Sequence, residues 1–258
     1  MFSIMNNPAQ LLERLPQKLL KNGWIRLSTS PASRLSVDHA TARGVTSDNW
    51  DQDLESGFLQ GGIVELSLSG GLALGTSLAL AACRRAQEQS HVRYGQNVWC
   101  AFVDPRGSLY APGVAASGVD LARLLVLRPD ATNLSRVALR LVEARTFPVV
   151  VIDTAGVPGA GLDVSLAPWV QVVRRLERAL HSTSNTVILL THQHAKRPLP
   201  LPVTRRYELV RSTNREITFQ VTRDTKMKNL LSGQFTVRQI LRRRVDDLCE
   251  PVVQQSAC

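Results

Sequence analysis

Gly61–Ser77 reads GGIVELSLSGGLALGTS, a short apolar run, a glycine-rich turn and the opening of a second apolar stretch. The run has the length of a strand, and SLALAACRRAQEQS after the turn carries enough helix formers to continue as a helix. The alternation repeats downstream. NVWCAFVD ends on Asp104, LLVLRP forms a further strand, and ATNLSRVALRLVEAR sets Leu134, Val137, Ala138, Leu141 and Val142 on one helical face. PVVVID ends on Asp153, Leu166, Trp169, Val170, Val173 and Leu180 make a helical stripe, and NTVILLTHQ is again strand-like. Continuous apolar strands separated by amphipathic helices predict an α/β fold, a mostly parallel sheet covered by helices on both faces. REITFQVTRD and SGQFTVRQI alternate with period two and predict an antiparallel extension at the sheet edge. Between them and the last buried strand, PLPLPVTRRYELVR reads as a proline-rich, basic loop.

Outward from this centre the chain thins into three parts. Residues 1–56 read as a helix and a flexible linker, with Leu11, Leu12, Leu15, Leu19 and Leu20 at helical spacing interrupted by Pro16. Residues 57–241 form the core, and residues 242–258 a basic-to-mixed tail. With 258 residues and 44% apolar content the chain can bury one substantial core. It lacks an apolar run approaching the roughly 18 residues of a membrane span, and its opening has no secretory pattern. Cys83, Cys100, Cys249 and Cys258 show no CxxC or Cys/His spacing, so no metal is expected. A cytoplasmic protein without membrane contact, nucleoid-associated when bound to DNA, is the expectation.

The net charge of +10 is uneven: from Lys196 onward 13 basic side chains face 6 acidic ones, a net +7. A polyanion is the partner such a segment suits. Lys196, Arg197, Arg205, Arg206 and Arg211 form one candidate DNA-binding group, Arg242, Arg243 and Arg244 a second, and Tyr207 is placed either to stack on a base or to pack on the sheet edge. His192 and His194 have no third ligand or nucleophile beside them in sequence and read as solvent-facing or hydrogen-bonded.

The chemically informative junction is the turn itself. Gly70, Gly75 and Ser77 satisfy GxxxxGK[ST], but Thr76 stands at the lysine. A threonine brings no charge to the β- and γ-phosphates. Three readings follow: a packing turn without nucleotide, nucleotide binding without efficient hydrolysis, or an intact NTPase. Asp153 terminates a strand, where a carboxylate can cap a local turn.

From about Gly57 to Ile240 the order of these motifs resembles the RecA-type recombinase superfamily, and within it the ImuA family of RecA/SulA-related accessory proteins of bacterial translesion mutagenesis. The resemblance rests on GFLQGGIVEL before the turn, on CAFVDPRGSLYAPGVAASGVDLARLLVLRPD, on VVVIDTAG and on TVILLTHQ. It implies a RecA-like P-loop NTPase-type core, with Gly70, Gly75, Thr76, Ser77 and Asp153 as a weak or vestigial nucleotide site. Gln193 matches the sensing glutamine before the DNA-binding loops. Where RecA-like ATPases carry a water-activating glutamate two residues after Asp104, this chain has Arg106, which stays protonated and cannot act as a base. Where they carry Lys-Asn-Lys, it has Arg223, Asp224 and Thr225.

The expectation is therefore a non-enzymatic accessory protein of the SOS response to DNA damage. Its implied partners are single-stranded DNA, RecA or a RecA–DNA filament, and an error-prone DNA polymerase assembly. No cofactor is required; ATP with magnesium belongs to the alternative of a DNA-binding ATPase with an atypical P-loop. A SulA-like inhibitor of cell division is a further alternative.

Overall fold

The computed structural model of the chain describes residues 25–26, 61–68, 74–95, 98–154, 166–192, 200–211, 217–225 and 235–236. In chain order the elements are β1 (Ile25–Arg26), β2 (Gly62–Leu68), α1 (Leu74–Tyr94), β3 (Cys100–Val103), α2 (Ala111–Ala116), β4 (Leu124–Leu127), α3 (Leu134–Glu143), β5 (Val149–Asp153), α4 (Trp169–Leu180), β6 (Thr186–His192), β7 (Arg205–Arg211), β8 (Ile217–Asp224) and β9 (Phe235–Thr236). They build one sheet in the order β1-β4-β3-β5-β6-β2-β7-β8-β9. The six strands from β4 to β7 are all parallel. β1 adds antiparallel to β4 at one edge, and β8 and β9 add antiparallel beyond β7 at the other.

The central strands read as unbroken apolar runs because both of their faces are covered. On one face Val64, Leu66, Phe102, Val151, Ile188 and Leu190 meet Leu78, Ala79, Ala82 and Cys83 of α1. On the other, Ile63, Ala101, Val103, Val150, Ile152, Val187 and Leu189 meet α3 and α4. Residues of opposite parity fall in opposite layers, as the two-residue period of a strand requires. Helix α3 buries Leu134, Val137, Ala138, Leu141 and Val142, and α4 buries Trp169, Val173, Leu176 and Leu180. The expected stripes are there, with Leu139 and Leu176 buried in addition and Val170 only half-buried. Helix α1 is rich in alanine on its sheet side, which lets it lie close, and it ends at Gly95, whose φ of +71° suits the left-handed position after a helix.

One expectation is corrected. RRYELVR is not a loop but β7, paired in parallel with β2 through Val64↔Arg205 and Glu65↔Arg206. Tyr207 and Leu209 enter the α1 layer, while Arg206 faces the other way. A strand with this many charges reads as solvated unless its partner is known, and the partner, Glu65, lies far away in sequence. The leucine-bearing segment, Gly70, Gln193, His194, Lys196, Arg197 and the tail with Arg242, Arg243 and Arg244 lie outside the described residues.

Candidate functional site

In an open parallel sheet, ligands bind beyond the carboxyl ends of the strands. Here that edge collects Leu68 of β2, Asp104 after β3, Asp153 of β5 and His192 of β6. By the same parity that sorts the two layers, Leu68, Asp104, Asp153 and His192 all belong to the α1 side. The edge therefore joins the first turn of α1 to two buried carboxylates on neighbouring strands.

Gly75, Thr76 and Ser77 occupy that first turn. Their backbone N–H groups are among those a helix leaves without an internal acceptor, so the turn favours an anion. Thr76 and Ser77 are half-buried. Gly75 has a second reason to be glycine: a Cβ there would come within 2.6 and 2.8 Å of the Leu68 methyl carbons. The glycine lets α1 approach the end of β2, a packing role that needs no phosphate.

Asp104 is fully buried, and both its oxygens are occupied. Oδ1 accepts from the Ser108 backbone N–H at 3.0 Å and the Ser108 hydroxyl at 3.1 Å, and Oδ2 accepts from the Leu109 N–H at 2.9 Å. Arg128 Nε stands 3.8 Å from Oδ2. The carboxylate thus organises residues 105–109, a turn closed by the Gly107 N–H donating to the Asp104 carbonyl, with Gly107 at φ +68°. Arg106 lies half-buried in this turn. Asp153 is buried at the end of β5, and the next residue, Thr154, donates both its N–H and its hydroxyl to the Leu190 carbonyl, closing the β5–β6 end. Cys83 and Cys100 face each other between α1 and β3; the hydrogen bond with Cys83, together with burial, pushes the Cys100 thiol well above its ordinary range, so it holds its proton and offers no nucleophile. Among the described residues no group of three or more His, Cys, Asp or Glu side chains could hold a metal ion.

Of the expected DNA group, Lys196 and Arg197 lie outside the described residues, and Arg205 and Arg206 belong to β7. Arg205 is buried, 2% exposed, and Arg206 Nε donates to Glu65 Oε2 at 2.7 Å. Glu65, itself fully buried, also accepts from the Thr191 hydroxyl at 2.8 Å, so a polar network ties β6, β2 and β7 together. A buried carboxylate demands a cation, and Arg206 of β7 supplies it. Tyr207 is buried and packs against the sheet rather than stacking on a base. Arg211 is described only as the last residue of β7. Arg223 and Asp224 end β8, paired with Arg206 and Arg205 at the amino edge of the parallel strands, and Thr225 donates to the Thr204 carbonyl. That segment stands at the opposite edge from the first turn of α1.

The Thr191–Glu65–Arg206 network escaped the sequence reading. Its signals were a single acidic residue inside GIVELSL and a charged pair in an otherwise alternating stretch. No protein-family model matches the chain, and no curated protein matches it.

Proposed function

We propose that the chain is a non-catalytic RecA-like accessory protein that joins DNA, or a RecA filament, to an error-prone polymerase assembly during SOS mutagenesis. The observation that carries the non-catalytic part is the state of Asp104. Its oxygens are spent on Ser108 and Leu109, the residue two places on is Arg106, and the first turn of α1 presents Thr76 instead of a lysine. Among the described residues, the first turn of α1 brings no lysine to an anion, and the Asp104 turn brings no uncommitted carboxylate to activate water. The RecA-like part is supported by the order of elements: the glycine-rich stretch of sequence lies between a central parallel strand and a helix packed on the sheet, with Asp104 and Asp153 ending strands on the same side. The translesion setting rests on the family resemblance.

The test is turnover of magnesium-ATP by the purified full chain, with a pull-down from DNA-damaged cells beside it. No turnover above background is expected, and Thr76→Lys alone does not restore it because Arg106 remains. Hydrolysis that disappears on Ser77→Ala or Asp153→Ala would overturn the reading in favour of the atypical ATPase. Polymerase or RecA subunits retained with the chain support the accessory role; their consistent absence counts against it.

A further inference from the structure

We propose that the outer surface of α3 and α4 binds the phosphate backbone of duplex DNA without reading its sequence. This surface lies on the sheet face opposite α1 and the candidate nucleotide edge, and it stands independently of the accessory reading.

The two helices pack side by side, and both return from the carboxyl to the amino edge of the sheet, so they run in the same direction. Their inner faces are apolar and their outer faces are arginine. Arg136 and Arg140 on α3, Arg145 just beyond it, and Arg174, Arg175 and Arg178 on α4 are all exposed. Against these six stand Glu143 and Glu177, giving +4 over Leu134–Arg145 and Trp169–Leu180. The 195 residues before Lys196 carry 18 basic and 15 acidic side chains, or +3 in all, so the rest of that stretch is net −1. The positive excess of the first three quarters of the chain is concentrated on one layer.

The arrangement is costly to the isolated protein. Arg136 and Arg140, and Arg174 and Arg178, are like charges one turn apart, and Arg175 faces Arg178 at i,i+3; such pairs repel. One acidic partner is engaged, with Arg140 Nη1 3.2 Å from Glu143 Oε2. Arg145 adds a backbone penalty: its φ is +53° at the position after α3 where glycine is the usual occupant. Bound phosphates would relieve the repulsion, and guanidinium groups pair with phosphate bidentately. Successive arginines on a helix are about 6 Å apart along the axis, and packed helices about 8–10 Å apart, so the layer is a two-row grid of cations.

The same surface favours duplex over single strands. The exposed large apolar side chains among the described residues are Val92, Tyr94, Tyr110 and Leu121, none of them on α3 or α4, and Trp169 is buried. Without an aromatic platform unpaired bases have nothing to stack on, and contact reduces to the backbone.

Fluorescence anisotropy of a labelled duplex of mixed sequence, titrated with the full chain at several salt concentrations, tests the assignment. Arg174→Gln with Arg175→Gln is expected to keep the helix, since glutamine and arginine have similar propensities. It should make the log–log salt slope shallower by about 2 and weaken binding at 0.1 M salt by on the order of 50-fold. Arg84→Gln with Arg93→Gln, on α1, removes the same charge from the other layer and should leave both nearly unchanged. Arg145→Gly should melt at a higher temperature yet bind more weakly. Equal losses for the α1 and α4 pairs, no duplex binding by the wild type, or tighter binding of a single strand of equal charge would each overturn the proposal. Loss of DNA binding on neutralising Lys196 and Arg197, with the α4 pair without effect, would also overturn it while leaving the accessory reading standing.

Discussion

Glu65 shows how a single residue can decide what its neighbours are for. A carboxylate buried in a parallel strand must be paired, because desolvating it alone costs several kcal/mol. Arg206 and Thr191 supply the pairing from the strands on either side. Removing the cation with Arg206→Met is therefore expected to destabilise the fold by about 3–5 kcal/mol, since it strands a buried charge. Replacing the set together, Glu65→Leu with Arg206→Met and Thr191→Val, should recover most of that loss, because the carboxylate, its cation and the hydroxyl give way together to apolar groups of similar volume. Urea denaturation of the variants, treated as a cycle, measures the coupling. A single Arg206→Met chain as stable as the wild type would show that the pair is dispensable. The sequence displayed Glu65 and Arg206 but not their adjacency, which arises only when β7 adds to β2 on the side away from β6.

The elements differ in how much of their role is visible locally. Most of the buried faces of α3 and α4 were legible, Leu139 and Leu176 excepted, because a 3.6-residue stripe is a property of one segment. Strand β7 was not, because its period-two pattern is written in Arg, Tyr, Glu and Leu and makes sense only beside β2. The first turn of α1 lies between these cases: its glycine pattern was visible, its reason was not. The contact with Leu68 separates the two readings of Gly75. Leu68 is itself buried, so its methyl groups cannot swing aside freely. Gly75→Ala should lose about 1–3 kcal/mol to overpacking, against the roughly 1 kcal/mol that alanine gains as a helix former. Trimming the neighbour, Gly75→Ala with Leu68→Ala, should show a favourable coupling of about 0.5–3 kcal/mol. If Gly75→Ala alone raises the urea midpoint, the glycine is not a packing residue and a ligand-facing reason for it regains ground.

At the scale of the whole molecule, the two apolar layers draw their buried residues, among those described, from the span between Ile63 and Leu209. Cooperative unfolding of a domain this size is governed by such layers, so a segment whose sequence lacks their continuous apolar patterns, as that of residues 242–258 does, should be separable from folding. Deleting residues 242–258 is expected to leave the calorimetric transition of the core within a few degrees of the full chain. The same deletion removes Arg242, Arg243 and Arg244, and a basic segment that steers a partner or DNA acts mainly on association. Polymerase capture in a pull-down should therefore fall while the melting temperature holds. A truncated chain that melts much lower would place the tail in the core. One that melts normally and captures its partners at full strength would shift the docking assignment to the leucine-bearing segment around Leu11–Leu20.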